Sequence, residues 1–133
     1  MVSQIYVNLP VKDLKASVAF FAKLGFTFNA DFTNDSGACM ILNENIYAML
    51  LAESFFQTFI DKKIADAKTT TEVLNCIALA SQEAVDKMVA DATSAGGRPH
   101  REPKDHGFMY QHAFEDIDGH IWELVYLQPA PKA

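Results

Sequence analysis

The first part of the chain has the hydrophobic pattern of a strand followed by a helix. Residues 3–9 alternate between two faces, as a half-buried strand does. The two faces are Gln4, Tyr6 and Asn8 against Ile5, Val7 and Leu9. Asp13 stands where a helix cap is expected, and the apolar residues Leu14, Val18 and Phe21 follow at helical spacing. Gly25 supplies the left-handed exit that ends such a helix.

Three short runs of β-forming residues follow the predicted helix. They cover residues 26–32, 38–42 and 46–51, and turn-forming residues separate them at 34–37 and 43–45. Each run is too short for a helix and is bounded by Gly, Asn or Asp, which favours strands. The first part of the chain is therefore predicted to be a βαβββ unit.

A connecting helix and a polar linker are predicted after this unit. Residues 54–57 have the spacing of a capping box, which marks the start of a helix. The apolar stripe of that helix would consist of Phe56, Phe59, Ile60 and Ile64. Residues 66–71 are polar and form the predicted linker.

The second half of the chain repeats the order of the first. A strand is predicted over residues 73–80, Ser81 is placed to cap the next helix, and Gly96 is placed to end it. Aligning Tyr6 with Cys76, an offset of 70 residues, keeps strand, helix and glycine in step. Such internal similarity indicates a duplicated structural unit.

A β-hairpin is predicted to close the second half. Residues 108–115 and 120–127 are β-like runs on either side of Asp118 and Gly119, a pair typical of tight turns. Strands and helices in this order predict an α+β fold of two βαβββ modules. The predicted organisation is a single domain, residues 1–133, made of a module at 1–53, a connecting helix and linker at 54–71, and a module at 72–128.

Composition and charge narrow the classes of function. Half of the 133 residues are hydrophobic, as in a packed globular protein. Eleven Lys and Arg against 17 Asp and Glu give a net charge of −6, which does not favour nucleic acid as a partner. The longest apolar run, residues 46–52, is far shorter than the roughly 20 residues of a membrane helix. We therefore expect a soluble, cytoplasmic protein with no membrane or nucleic-acid partner.

Histidine is scarce, which limits the metal sites the chain could form. The four histidines are His100, His106, His112 and His120. His120 and Glu123 lie three apart on a predicted strand, so they would point to opposite faces and could not easily share one ion. We therefore interpret His120 as a turn or surface residue, and His100, in a loop rich in Pro and charge, as a solvated one.

Other candidate residues lie on the predicted strands. His112 alternates with Tyr110 and Phe108, so it either lines a cavity or is an ordinary sheet histidine. Glu123 interrupts an apolar strand, and it either faces solvent or enters a pocket as a base, ligand or hydrogen-bond acceptor. The two cysteines, Cys39 and Cys76, predict reduced and partly buried thiols rather than a disulfide framework.

Three segments carry a family resemblance. They read LPVKDLKASVAFF at residues 9–21, LGF at 24–26 and FEDIDGHIWEL at 114–124. The chain resembles the vicinal oxygen chelate superfamily, which includes glyoxalase I, bleomycin resistance proteins, fosfomycin resistance enzymes and extradiol dioxygenases, and it is most similar to small predicted lactoylglutathione lyases. The resemblance implies a cup-shaped mixed sheet around a ligand cavity, in a homodimer that is either domain-swapped or unswapped.

The resemblance also implies a divalent metal, held by the first and last strands of each module. Only Glu123 matches a ligand of that site. The other ligand positions fall on Tyr6, on Cys76 and on Met49 or Leu51, and a two-residue slip would bring Gln4 to the first of them. This is not a usual ligand set for zinc, nickel, magnesium or iron. We therefore predict no cofactor, and a divalent metal at Glu123 stays open as the alternative.

Two functions follow as hypotheses, and the sequence leaves open whether the protein is an enzyme. The first is a metal-independent module that binds a small molecule, aromatic ligands included, with Glu123 as the central residue. The alternative is a divergent glyoxalase-type lyase or dioxygenase that uses Glu123 as base or metal ligand. A third hypothesis is a structural or interaction protein, which no sequence motif supports. The predicted ligand-binding residues are Tyr6, Asn8, Tyr47, Cys76, Phe108, Tyr110 and His112.

Overall fold

A computed structural model describes residues 1–129 of the chain. The elements fall into two compact units, of which the first is Met1–Ala65 and the second begins at Asp66. Each unit has its own β-sheet. None of the helices described is long and apolar enough to cross a membrane.

The first unit is a four-stranded mixed sheet with one long helix. Strand β1 is parallel to β4, and the other neighbours are antiparallel, in the order β1-β4-β3-β2. The elements are β1 (Ile5–Val11), α1 (Leu14–Lys23), β2 (Thr27–Asn29), β3 (Gly37–Asn43), β4 (Ile46–Ala52) and α2 (Glu53–Phe56). This order confirms the predicted βαβββ unit.

Helix α1 covers one face of the first sheet. The Asp13 side chain accepts a hydrogen bond from the Ala16 amide at 3.1 Å, so the predicted cap is confirmed. Phe20 and Phe21 of α1 are buried, and they lie on the side of the sheet formed by Ala38, Met40, Ala48 and Leu50, all of which are fully buried. The opposite face carries the alternate residues, including Tyr6, Asn8 and Tyr47.

Two elements of the first unit differ from their predictions. The predicted strand 26–32 is a three-residue strand, because the Asn29 side chain accepts a hydrogen bond from the Asp31 amide and starts a 3₁₀ turn. The connecting helix ends at Phe56 rather than continuing to Ile64, and Ser54 does not cap it. A 3₁₀ turn, Gln57–Phe59, follows the helix, and the Gln57 side chain donates to the Lys62 carbonyl at 2.9 Å beyond it.

The second unit repeats this plan with a longer helix. Its sheet has the order β5-β9-β8-β6, β7 also pairs with β8, and β5 is parallel to β9. The elements are β5 (Asn75–Ala78), α3 (Gln82–Ser94), β6 (Arg98–Pro99), β7 (Lys104–Asp105), β8 (Met109–Glu115) and β9 (Ile121–Leu127). The α+β class with two βαβββ modules is thus confirmed, with one strand of the second module divided into β6 and β7.

Helix α3 covers one face of the second sheet. Ser81 caps it by accepting a hydrogen bond from the Ala84 amide at 3.0 Å, as predicted. Val85, Val89 and Ala92 of α3 are buried, and the sheet residues on this side are Phe114, Trp122 and Leu124. Strand β5 is shorter than the predicted 73–80, and Val73 and Leu74 before it are exposed.

Candidate ligand-binding site

The strand pairing of the second unit places three residues side by side. Cys76 of β5 is paired with Glu123 of β9, and Ala113 of β8 is paired with Glu123 from the other side. Directly paired residues share one face of a sheet. Because Trp122 and Leu124 point toward α3, Glu123 points to the face that α3 leaves uncovered.

Two neighbouring side chains hold the Glu123 carboxylate in place. Gln111 Nε2 donates to Glu123 Oε2 at 2.9 Å, and Gln111 Oε1 lies 3.1 Å from His106 Nε2. An amide oxygen can only accept, so this contact requires the proton of His106 on Nε2. Within residues 1–129, the second carboxylate oxygen, Oε1, has no hydrogen-bond partner. The arrangement fixes Glu123 as an acceptor.

A pocket of about 540 Å³ lies against this carboxylate. Leu74, Ala113 and Ile121 give it an apolar part. Its size is in the range of pockets that take small organic molecules. The polar lining consists of Thr71, His100, Arg101, Glu102, Lys104, His106, Gln111, His112 and Glu123.

Cationic side chains from residues 98–104, called here the basic loop, form one side of this pocket. Lys104 is paired with Gln111 in β8, which puts both on the same face as Glu123. Arg101 has a φ of 66°, in the left-handed region that favours glycine. Arg98, in contrast, pairs with Glu115 at 2.7 Å, and His100 Nδ1 lies 3.9 Å from the same carboxylate oxygen.

Tyr110 and Phe108 lie away from the pocket, unlike the sequence expectation. Tyr110 is buried on the α3 side of β8, where its hydroxyl donates to Asp86 Oδ1 at 2.6 Å. Phe108 precedes β8 and is exposed. His112 borders the pocket, yet its Nδ1 lies 3.9 Å from Asp86 Oδ1. The predicted alternation along β8 is correct, but it places Tyr110 on the other face of the sheet from Glu123.

The hydrogen bond from Tyr110 to Asp86 gives a testable pH dependence. That bond, followed by burial, raises the pKa of Tyr110 to about 12. We expect Tyr110→Phe to lower the free energy of unfolding by about 1 kcal/mol near neutral pH. A group whose pKa is raised in the folded state stabilises the fold at pH values below its unfolded pKa, which is near 10 for tyrosine. The difference in unfolding free energy between the wild type and Tyr110→Phe should therefore disappear as the pH rises through about 12.

Urea unfolding at neutral and alkaline pH would check this expectation. Tyr126→Phe is the matched control, because Tyr126 is paired with Tyr110 in the same hairpin and its hydroxyl has no bond to a side chain in the described part of the chain. Equal losses in the two variants would contradict a specific contribution from the bond to Asp86.

Three predicted residues of the first unit lie on one face of its sheet. Tyr6 and Tyr47 are paired in β1 and β4, and their rings stack with centroids 4.8 Å apart and planes 13° apart. The Tyr47 hydroxyl donates to the Glu44 carbonyl at 2.6 Å. Asn8 lies on the same face of β1. The structure therefore brings Tyr6, Asn8 and Tyr47 together, on the side of the sheet away from α1.

The donor groups at the ligand positions of the resemblance do not suit a metal. In the first unit these positions hold the Tyr6 phenol, stacked on Tyr47, and the Met49 thioether or the Leu51 side chain. In the second unit, partial burial and the Glu123 carboxylate raise the pKa of the Cys76 thiol, which disfavours the thiolate that binds metals. Among the residues described, no three His, Cys, Asp or Glu side chains converge as metal ligands would. The residues present do not fit the implied metal site.

Several residues that line the pocket are not among the predicted ligand-binding residues. Gln111 could have been found, because a hairpin centred on Asp118 pairs Ala113 with Glu123 and leaves Gln111 on the same face. His100 was interpreted as solvated, yet it borders the pocket. Arg101 carried no periodic signal, since a loop has none.

Comparison with known proteins supports the fold and the resemblance. A family model described as bleomycin resistance protein-like N-terminal matches residues 5–43. No curated protein sequence matches the chain. The solved structure of a hypothetical protein from S. aureus is similar at 25% identity and a TM-score of 0.81, covering 95% of this chain and 94% of that one.

Two further solved structures are similar to this chain. A glyoxalase/bleomycin resistance protein/dioxygenase family enzyme from Burkholderia phytofirmans PsJN is 20% identical, with a TM-score of 0.72 over 92% of this chain and 97% of that one. A bleomycin resistance determinant encoded on the transposon Tn5 is 19% identical, with a TM-score of 0.65 over 95% and 98%. The chain has the glyoxalase/bleomycin resistance/dioxygenase fold, and its predicted resemblance to the vicinal oxygen chelate superfamily is confirmed.

Proposed function

We propose that the protein binds a small polar organic molecule in the pocket beside Glu123, without a metal. The observation that carries this proposal is the fixed Glu123 carboxylate, which Gln111 holds through Oε2 while Oε1 has no partner within residues 1–129. A bound hydrogen-bond donor would satisfy that oxygen. Bleomycin resistance proteins, which share this fold, give a precedent for binding as a complete function.

The pocket favours a polar ligand over a flat aromatic one. Its lining within the described chain contains charged, amide and imidazole groups but no Phe, Tyr or Trp side chain. The predicted stacking of an aromatic ligand would have to use the Tyr6–Tyr47 pair of the first unit. We therefore propose a ligand recognised by hydrogen bonds and charge.

A ligand-observed NMR screen with small amine and alcohol fragments would test this function. We expect some fragments to bind the wild type, and Glu123→Gln to weaken them about tenfold or more, since a hydrogen bond to a carboxylate contributes about 1.5 to 3 kcal/mol. Glu83→Gln, which removes an exposed carboxylate of α3 outside the pocket, is the control. Binding unchanged in Glu123→Gln would contradict the proposal.

The alternative, a divergent glyoxalase-type lyase or dioxygenase, has one observation in its favour. The Cys76 thiol lies beside Glu123, so a proton-accepting carboxylate has a second functional group as its neighbour. Metal analysis of untagged protein beside Glu123→Gln separates the two functions. The binding proposal predicts far less than one metal ion per chain in both, whereas stoichiometric metal that Glu123→Gln abolishes would favour the enzyme and lead to glyoxalase and dioxygenase assays.

We further propose that the protein works as a cytoplasmic homodimer. The support is the resemblance, in which dimers are usual, together with the acidic composition. Analytical ultracentrifugation tests the assembly, because a monomer at all concentrations would contradict it. Cell fractionation tests the location.

A further inference from the structure

The basic loop places two cations, Arg101 and Lys104, at the pocket. Neither forms an ion pair within residues 1–129. Arg98 in the same loop does have a partner, Glu115. Glu102, between the two cations in sequence, also lines the pocket, but within residues 1–129 it forms no ion pair with either of them.

The backbone at Arg101 gives a second, independent observation. Its φ of 66° is in the left-handed region, and it is the one non-glycine residue with a positive φ among residues 1–129. Glycine would adopt this conformation without the steric cost that Arg incurs. A large cationic side chain held in a costly conformation at a pocket wall points to a role for that side chain.

Glu123 and the two cations make the pocket bipolar. Lys104 lies on the face of the sheet that carries Glu123, and its pairing with Gln111 connects it to the residue that orients the carboxylate. A ligand that satisfied both sides would carry an oxyanion and, at a different position, a hydrogen-bond donor. Arg is well suited to the first of these, because its planar guanidinium can bind a carboxylate or phosphate through two parallel hydrogen bonds.

We propose that Arg101 and Lys104 form an oxyanion subsite, so that the pocket takes a small molecule bearing a carboxylate or phosphate group together with an amine or hydroxyl. This inference rests on the proposed binding function and specifies the class of its ligand. Arg101 binds the oxyanion, Lys104 adds charge, and Glu123 accepts from the donor group.

Titration of ¹⁵N-labelled protein with inorganic phosphate, and separately with acetate, at constant ionic strength tests the subsite. We expect saturable shifts of the amides in the basic loop and of the Arg101 Nε–H signal. Arg101→Gly and Lys104→Gln should each weaken binding about fivefold, as expected for one partly exposed charge. Lys87→Gln, which removes an exposed cation of α3, should leave binding unchanged.

Arg101→Gly separates binding from folding. Because glycine suits the left-handed conformation, this variant should melt no lower than the wild type while it loses oxyanion binding. Shifts that do not saturate, or that Lys87→Gln and Arg101→Gly affect equally, would overturn the subsite. If amine or alcohol fragments still require Glu123 in that case, the binding function stands and the oxyanion inference alone fails. If phosphate binds at the basic loop but no fragment depends on Glu123, the wider proposal is the one that fails.

Discussion

Replacement of Asp116 by alanine is expected to lower the free energy of unfolding by about 3 to 5 kcal/mol, enough to threaten the fold of a small domain. Asp116 is buried, and its two oxygens accept three hydrogen bonds. Oδ2 accepts from Trp122 Nε1 at 3.0 Å, and Oδ1 accepts from the amides of Asp118 and His120 at 3.0 Å each. Alanine leaves three donors without this acceptor, one of them on a fully buried indole.

Urea unfolding followed by the fluorescence of Trp122, the single tryptophan, would measure this loss. Asp35→Ala is a suitable control, because Asp35 is an exposed carboxylate in a turn of the first unit. A loss at Asp116 as small as that at Asp35 would show that water replaces the carboxylate, contrary to its burial.

The pKa of Asp116 fixes the direction of a pH effect. Burial raises this pKa above its usual value, although His120 and the hydrogen bonds act in the opposite direction. With a raised folded-state pKa, the folded protein takes up the proton more readily than the unfolded chain. The contribution of this group is therefore greatest below the unfolded pKa, near 3.8, and falls as the pH rises through the folded value. Relative to Asp116→Asn, the wild type should gain stability on acidification.

Gly119→Ala is expected to cost about 3 kcal/mol or more, for two separate reasons. The residue has a φ of +96°, which an L side chain rarely adopts. A Cβ atom there would also lie 2.8 Å from the Ala67 carbonyl carbon and the Lys68 nitrogen, both backbone atoms. Backbone cannot give way as a flexible side chain can, so the turn and the segment at 67–68 would have to separate.

Gly107→Ala isolates the first of these costs, that of the positive φ. Gly107 lies in the same unit with a φ of +87°, but its added Cβ would have nothing within 4 Å. Its loss should therefore be only about 1 kcal/mol, the cost of the conformation. Thermal melts of both variants give the difference, and equal melting temperatures would mean that the contact at 67–68 does not constrain the fold.

The contact at Gly119 also shows local order in residues 66–71, the predicted linker. The Asp66 carbonyl accepts from the amides of Thr69 and Thr70, and its side chain accepts from the Lys68 amide. These bonds form an ordered turn against the β8–β9 hairpin. A polar composition alone could not distinguish such a turn from a flexible connection, because both use the same residue types.

The sequence predicted the regular part of the fold because that part follows local rules. The caps at Asp13 and Ser81 and the turn at Gly119 depend on residues close in sequence, and all three are confirmed. The predicted end of α2 was wrong. The apolar stripe continues beyond it, and apolar spacing does not reveal that the Gln57 side chain bonds to the Lys62 carbonyl. Element types were therefore better predicted than their ends.

The candidate site was predictable only where strand pairing follows from the hairpin. Glu123 is identifiable from the sequence because burying a carboxylate within an apolar strand is costly unless the carboxylate has a partner. Tyr110 and His112 were grouped with it although alternation about the turn puts them on the other face. The basic loop reaches the pocket through its path between β6 and β7, and hydrophobic periodicity does not encode the path of a loop. The place of Arg101 in the pocket lining could therefore be found only in the structure.

The position of β4 and β9 in their sheets has a consequence for synthesis. Each is the last strand of its unit along the chain, yet each lies between two strands made earlier, β1 and β3 or β5 and β8. The first sheet can thus be completed once β4 has emerged from the ribosome, while the second unit is still being translated. A nascent chain that stalls before β4 leaves the edges of β1 and β3 open to pairing with other chains.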